Sequence, residues 1–459
     1  MNQLQDRPDT PAGAHESMMK PAGFMRDLDA GTDRLREKSS EYLGRHSGET
    51  REDFAWRTSR AVLLNGVART VEGLSGMVFR QAPTLADVPD KMRAHLETVD
   101  GQRHLDVFAK EVFADALLVG HSFIMVDAPR SDARTRLEEQ ALGLRPYWVR
   151  IPLDNVISWR TIRVGFRDVL EQVVLREISV EPDGDFGEKT VERYRVLRRK
   201  IGDDGPVITW AIFEKDSRGA FESVDDGTIG GVTEIPLVPV YAKRTGYFTS
   251  APPLLDLAHS NVAHFRVGAD HFTALHKCSV PLLALIGVGL DGKLPVGPNT
   301  VLDLPDKADV KYVEHSGAAL DATRQQLIDL KADMAVLGLT MLQHETRAAE
   351  TAAAKRIDKA EQDSALASAG RSLEDALENA LAFHAQMIGL KSGGSVVVNR
   401  DFERLSLDAQ EVRALNELVA SGALSIDTLW SILAEGGVLP DGFDPEVEHA
   451  RIEGDLIAS

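Results

Sequence analysis

The chain reads as an α+β protein, and three features point there. Residues 145–243 break into short runs rich in β-branched and aromatic side chains, separated by turn chemistry. The regions before and after carry apolar residues at helical spacing. No proline occurs between Pro305 and Pro440 in a chain that has 20 of them, and proline breaks helix interiors, so that span is expected to hold long helices. Strands grouped together and flanked by helices, instead of alternating with them, argue for α+β.

Composition sets outer bounds. At 459 residues and 43% hydrophobic content the chain can bury a substantial core, as two to four domains or one elaborated subunit. The formal net charge of −19 argues against gripping nucleic acid by charge neutralisation, although DNA that slides without being held is not excluded. A single cysteine, Cys278, rules out an internal disulfide framework and a multi-cysteine metal site. Residues 1–23 lack the basic start and apolar run of a signal peptide, and no stretch of about 18 apolar residues suggests a membrane span, so synthesis in the cytoplasm and no membrane contact are expected.

In chain order, residues 1–38 are expected to be a flexible N-terminal arm, because Pro8, Pro11 and Pro21 stand among small and charged residues. From 39 to 126 the pattern is mainly helical, with Trp56, Val62, Leu63, Val67, Val71 and Leu74 favouring one buried face and 107–118 repeating the pattern before Gly120. Strands are expected at 147–151, 156–160, 172–178, 192–197, 207–213 and 235–241, punctuated by Pro182-Asp183-Gly184-Asp185 and Gly202-Asp203-Asp204-Gly205-Pro206. A helix over 251–278 carries the stripe Leu254, Ala258, Val262, Phe265, Ala269, Phe272 and Leu275, with Arg266 and Asp270 off it. A Gly/Pro-rich insert follows over 280–317, and a second helix returns over 320–342. That helix has Leu320, Leu327, Met334 and Met341 at seven-residue spacing with Leu330 and Leu337 between, a coiled-coil-like seam that needs a partner. Helix, β-type insert and returning helix describe a stalk with a knob at its tip. Residues 352–390 form a long Ala-rich helix with Gly370 as a kink point, and a Ser392-Gly393-Gly394 break leads to a helical C-terminal portion, where Ser425 is placed as an N-cap.

A search for catalytic chemistry comes back empty. Gly287-Val288-Gly289-Leu290-Asp291-Gly292 matches G-x-G-x-x-G after an apolar run. The motif needs a helix at once to meet the pyrophosphate, whereas Lys293-Leu294-Pro295 follows, so a glycine-rich turn is preferred. There is no P-loop pattern. His259, His264, His271 and His276 are spaced five, seven and five apart, while ligand pairs on a helix sit three or four apart, so no metal site is expected and the chain is taken to need no cofactor. Cys278 has no oriented base, and Ser122 lacks a nucleophile elbow. The basic run Arg195-Val196-Leu197-Arg198-Arg199-Lys200 fits a solvated edge strand better than a phosphate site.

Several packing motifs occur in a fixed order: Tyr42-Leu43; Ser59-Arg60-Ala61-Val62; Ala68-Arg69-Thr70-Val71-Glu72-Gly73-Leu74-Ser75-Gly76-Met77-Val78-Phe79; Tyr147-Trp148-Val149-Arg150-Ile151-Pro152; Asp154-Asn155-Val156-Ile157-Ser158-Trp159-Arg160; and Pro252-Pro253-Leu254-Leu255-Asp256-Leu257-Ala258. In this order and over residues 42–436 the chain resembles the tailed-bacteriophage portal proteins, the head-to-tail connector family. That resemblance implies a non-enzymatic ring of twelve identical subunits at one capsid vertex of the virion, assembled in the host cytoplasm, through which double-stranded DNA is packaged and ejected. Its implied partners are the terminase large subunit, the major capsid or scaffolding protein and a head-completion or adaptor protein. On this sequence it implies a wing over 39–250, stem helices over 251–279 and 320–342, a clip over 280–319, a channel loop over 343–351, a kinked helix over 352–390 and a crown with an acidic tail over 391–459. Gln343, His344, Glu345, Thr346 and Arg347 would face the DNA, while Asp291, Lys293, Asp306, Lys307 and Asp309 would dock partners on the clip. The short portion after Gly389 departs from a tall crown. Two other classes stay open on the residues alone: a self-associating structural or adaptor protein of the virion that never contacts DNA, and an enzyme using the turn at 287–292.

Overall fold

The structure is a computed structural model that describes residues 7–129, 144–203, 205–216, 218–279, 282–286, 309–313, 318–339, 364–400, 402, 409–421, 423–435, 439, 443 and 445–449. It divides into two units, Met1–Val398 and Asn399–Ser459. Their content is mixed α and β, as expected, with helices and antiparallel strands throughout the first unit.

The N-terminal region departs from expectation. Where a flexible arm was expected over 1–38, α1 (Gly13–Asp29) and α2 (Thr32–Glu37) form, followed by the short α3 (Ser39–Tyr42). Met18, Ala22, Met25 and Leu28 are buried at steps of three and four, a helix face that the prolines and small residues disguise. Pro21 lies inside α1, a cost offset here by burial of that face. Two adjacent residues of opposite charge, Asp27 and Arg26, fasten the region. Asp27 accepts from Arg34 at 2.8 Å, Lys38 at 2.5 Å and Tyr42 at 2.7 Å. Arg26 donates to Asp115 at 2.9 Å and to Asp154 at 2.6 Å.

The single helix face expected from Trp56 to Leu74 is split. α4 (Arg51–Arg60) ends at an extended Ala61, and α5 (Gly66–Val78) starts after Asn65, whose side chain accepts from Ala68 N–H at 3.1 Å. Val62 falls in the break and is exposed. The short β1 (Thr84–Ala86) and α6 (Asp90–Leu96) lead to α7 (Leu105–Val119), which stops at Gly120. Gly120 has φ 107°, and a Cβ there would lie 2.4 Å from Ser250 Oγ, so only glycine fits.

β2 (His121–Asp127), in a region expected to be helical, is the central strand of a three-stranded antiparallel sheet with β3 (Tyr147–Ile151) and, on its other side, β9 (Leu237–Tyr241). All seven residues of β2 are buried, so it shows no alternation and is ambiguous in sequence. Ser122 faces Asp115 of α7, while Phe123 and Met125 join the core on the opposite face.

Between β3 and β9 runs a five-stranded meander: β4 (Val156–Val164), β5 (Arg167–Asp183), β6 (Gly187–Gly202), β7 (Gly205–Lys215) and β8 (Phe221–Ile229). The strands are longer than their apolar segments because backbone pairing carries them past the buried stretch to the turns at Gly184 and Gly205, both with positive φ. β6 is the middle strand, which corrects the edge-strand expectation for Arg195–Lys200. Arg195 is tied to Asp127 at 2.7 Å and Glu177 at 2.8 Å, Arg198 donates to Gln172 at 2.9 Å, and Arg199 donates to the Thr233 carbonyl at 3.0 Å.

After the small ribbon β10 (Arg244–Gly246) and β11 (Thr249–Ser250) come α8 (Leu255–Cys278), β12 (Leu282–Ile286), β13 (Asp309–Val313) and α9 (Ala318–Leu339). α10 (Ala365–Met387) packs on β2 and β9, with Phe383 and Met387 against the core containing Phe123 and Met125. Gly370 is buried within it. β14 (Ser395–Val397) pairs with β1, and its amides at Val396 and Val398 donate to Glu378 at 3.1 Å and Glu374 at 2.9 Å. In the second unit α11 (Ala409–Ala420) and α12 (Ile426–Glu435) form, and Ser425 caps α12 by accepting from Thr428 N–H at 3.2 Å, as expected.

Arg26→Met should lower the unfolding free energy by about 1–3 kcal/mol, because it leaves the buried Asp115 with only the Ser122 hydroxyl and a looser 3.6 Å pairing to Arg150, and the loss should appear as a lower urea midpoint with an unchanged slope.

Candidate functional site

Ser122 and His121 are both engaged inside the fold. Ser122 donates to Asp115 at 2.8 Å, and both are buried. His121 Nδ1 lies 2.6 Å from Ser250 Oγ, and burial, then His15, pushes its pKa down to about 3, so it stays neutral. Cys278 is the last residue of α8 and half-buried. Among the described residues no group of three acidic, histidine or cysteine side chains could hold a metal. A cavity of about 1060 Å³ lies beside β6 and the end of α10. The arginines lining it are already held: Arg195 by Asp127 and Glu177, and Arg145 by the carbonyls of His95 at 2.8 Å and Thr98 at 2.5 Å. Lys91 and Asp226 complete its charged lining.

The four histidines of α8 contribute to packing. His259 stacks on Phe24 at 5.0 Å between centroids, His276 lies 4.8 Å from the Trp56 ring, and His271 Nδ1 lies 2.7 Å from Thr323 Oγ1. His264 is shifted down by burial and then by Lys331.

The feature of functional interest is therefore the hairpin made by α8 and α9. Contacts fix its register as antiparallel. His271 meets Thr323, a Cβ added at Gly268 would lie 3.9 Å from Leu327 Cδ2, and Asn261 and Met334 both approach Gly66. The ribbon continues the hairpin, pairing Leu282 with Val313 and Ile286 with Asp309 in antiparallel register. Leu282–Ile286 thus pairs antiparallel with β13, whereas a dinucleotide site needs a parallel βαβ unit, and the glycine motif at 287–292 lies outside the described residues. The described part of the α9 seam forms as expected: Leu320, Leu327, Leu330, Met334 and Leu337 all lie on its less exposed side, and the partner is α8 of the same chain, while Met341 lies outside the described residues. The stripe on α8 is buried from Leu254 to Ala269, whereas Phe272 and Leu275 are exposed.

Two polar anchors hold the base of this hairpin. Asn261 is 0% exposed; its Oδ1 accepts from Gly66 N–H at 2.9 Å and Val67 N–H at 3.3 Å, and its Nδ2 donates to the Leu64 carbonyl at 2.7 Å. It thereby supplies acceptors to the free amides at the start of α5. About two and a half turns further along α8, Asp270 accepts from Arg57 at 3.2 Å and lies 3.1 Å from His46 Nε2. Arg57 also grips Glu49, whose carboxyl it holds down at about 2, so this clasp is present above the ordinary glutamate range and fails as pH falls through that value. Neither anchor was singled out in the sequence, where a polar residue on a helix reads as solvated. Beyond the anchors, Ile328, Val336 and Leu339 of α9 are 50%, 59% and 54% exposed.

Of the sequence-derived site residues, only Asp309 is described. It is exposed at the start of β13 and pairs with Lys311 at 2.9 Å. Asp291, Lys293, Asp306 and Lys307 of the expected clip, and Gln343, His344, Glu345, Thr346 and Arg347 of the expected channel loop, lie outside the described residues. No helix among the described residues is long and apolar enough to cross a membrane.

Residues 253–388, from the start of α8 to just past α10, match a family described as a domain of unknown function, DUF4055. No curated protein matches the chain. Among solved structures it is similar to a chain from the virion of a native gene transfer agent (GTA) particle, at 13% identity over 88% of this chain and 98% of that one, with a TM-score of 0.40. It is also similar to a chain from the neck of a native GTA particle computed with C12 symmetry, at 12% identity over 80% and 89%, with a TM-score of 0.39. At such identities no residue role passes from those chains to this one.

Asn261→Leu removes the acceptor for two helix-start amides and the donor for Leu64, and should cost about 2–3 kcal/mol. Amide exchange at Gly66 and Val67 should speed up while that of β2 is unchanged.

Proposed function

We propose that the chain is a portal-type subunit of a phage-like virion: copies close into a ring at one capsid vertex, and double-stranded DNA passes through the ring during packaging and ejection. The observation that carries this is the helix hairpin, continued by an antiparallel ribbon and anchored at its base, which keeps large apolar side chains exposed on the outside of α9. A helix pair whose seam is already filled within the chain has no need of a coiled-coil partner. Its remaining exposed residues suit a heterologous contact with a neighbour, and such contacts repeated about an axis close into rings. The order of packing motifs in the sequence supports the same reading.

In this proposal β12 and β13 belong to the clip that docks the terminase large subunit and the head-completion protein, with Asp291, Lys293, Asp306, Lys307 and Asp309 as the contacting charges. Residues 343–351 form the channel loop. A net charge of −19 repels phosphate and lets DNA slide, and Glu345 offsets Arg347, so the loop acts through fit more than attraction. The subunit has no hydrolytic activity; the energy for translocation comes from a separate ATPase. A self-associating adaptor that never meets DNA is the second reading, and the filled seam of α9 takes away the coiled-coil motive for it.

Light scattering and electron micrographs of the purified chain should show a closed ring with a central hole, and Ile328→Asp/Val336→Asp should yield folded monomers. A native chain that stays monomeric at micromolar concentration overturns the ring. Replacing His344–Arg347 by a short Gly/Ser linker should leave the ring intact and reduce DNA packaging or retention. Normal packaging of full-length DNA by such particles removes the loop from the channel.

A further inference from the structure

Away from the hairpin, three rings from three elements make a relay that runs from the core to the half-buried His95. Trp148 on β3 donates its indole N–H to Nδ1 of His384 on α10 at 3.2 Å, and Nε2 of His384 lies 3.0 Å from Nδ1 of His95 on α6. Trp148 and His384 are both 0% exposed. An indole N–H can only donate, so Nδ1 of His384 must be the acceptor. Neutral His384 therefore carries its proton on Nε2 and donates it to Nδ1 of His95, and both tautomers are fixed. Neither accepting nitrogen can take a further proton without setting one N–H against another. A proton on Nδ1 of His384 breaks the bond to Trp148, and one on Nδ1 of His95 breaks the bond between the rings.

The surroundings offer a cation no relief. The groups acting on His384 are His95 from α6 and the Arg145 guanidinium ahead of β3, both of which disfavour a second positive charge. Arg145 is itself held by the His95 carbonyl and by Thr98. From β9, Tyr241 accepts from Phe248 N–H at 2.8 Å and does not act on the ring. β2 presents His121, which is paired with Ser250. On α10 itself, Glu374 and Glu378 are turned to the amides of Val398 and Val396.

We propose that the Trp148–His384–His95 relay is an acid-sensitive latch, holding α10 against β3 and α6 at neutral pH and releasing it on acidification. Burial, followed by His95 and Arg145, keeps the pKa of His384 down at about 3, and burial followed by Arg145 lowers that of His95. In the unfolded chain a histidine titrates near 6.5, so below about that pH the unfolded form binds more protons than the folded one. The latch is thus at full strength above that value and weakens as pH falls toward the folded-state pKa. α10 follows the proposed channel loop in sequence, but the latch does not depend on the portal reading.

Hydrogen exchange by mass spectrometry on the full chain at pH 7.5 and 5.0, corrected for intrinsic rates, tests this directly. Peptides within Ala365–Met387 should lose roughly tenfold or more of their protection at pH 5.0, while peptides within Gly66–Val78 keep theirs. His95→Asn/His384→Gln replaces both rings by amides that take up no proton, and should abolish the difference at α10 while His15 and His121 remain. Trp148→Phe frees Nδ1 of His384 and should move the opening of α10 to higher pH. Equal protection of α10 at both pH values in the native chain overturns the latch, as does an undiminished pH response in the double variant. An unshifted transition in Trp148→Phe overturns it even where the double variant does not fold.

Discussion

A two-helix hairpin that buries only one seam must be held where it leaves its domain, and Asn261 meets that constraint. Its carboxamide is wholly buried in α8, yet every hydrogen bond it makes is to the backbone of residues 64–67. The start of α5 has amides with no helical acceptor, and Asn261 provides one while also satisfying Leu64. The direction in which α8 emerges is thereby fixed relative to α5, and α9 inherits that direction through the register of His271 with Thr323. Arg57, buried between Glu49 and Asp270, adds a second point on the same helix, so the base resists rotation as well as translation.

Elsewhere the same economy recurs: buried charged groups tie distant elements together. Arg26 spans Asp115 and Asp154 and so joins α1 to α7 and to the turn before β4. Arg195 spans Asp127 and Glu177 and so joins the meander to the three-stranded sheet. Charges in low dielectric are costly unless paired, so residues that look like candidate binding groups in sequence become cross-links in the fold. The consequence is a scaffold whose outward features, the hairpin and its ribbon, carry the interest.

The apolar side chains exposed along α9 contrast with that economy. Large apolar groups at 50–59% exposure on one helix cost free energy unless covered, and the chain's acidic surface keeps such a molecule soluble until they are. This pairing of a rigid, anchored hairpin with an uncovered flank is what the proposed ring would use.

Much of the architecture was legible in sequence because it is periodic. The seam from Leu320 to Leu337, the antiparallel strands around Tyr147 and Val207, and the N-cap at Ser425 all follow from spacing and local chemistry, which act within a few residues. What tertiary structure alone decided lies where local signal and packing part company. β2 is buried on both faces and so has no period, and the face of α1 is masked by Pro21 and small residues. Arg195 has the alternation of an edge strand but lies in the middle of the meander, because neither sheet order nor the acids that neutralise it are encoded nearby. The same holds for Asn261, Arg57 and His384. Each is a single polar residue whose partner lies far along the chain, at separations of 195, 213 and 236 for Gly66, Asp270 and Trp148. A hydrogen bond acts only over about 3 Å, so its meaning appears once folding has brought both ends together.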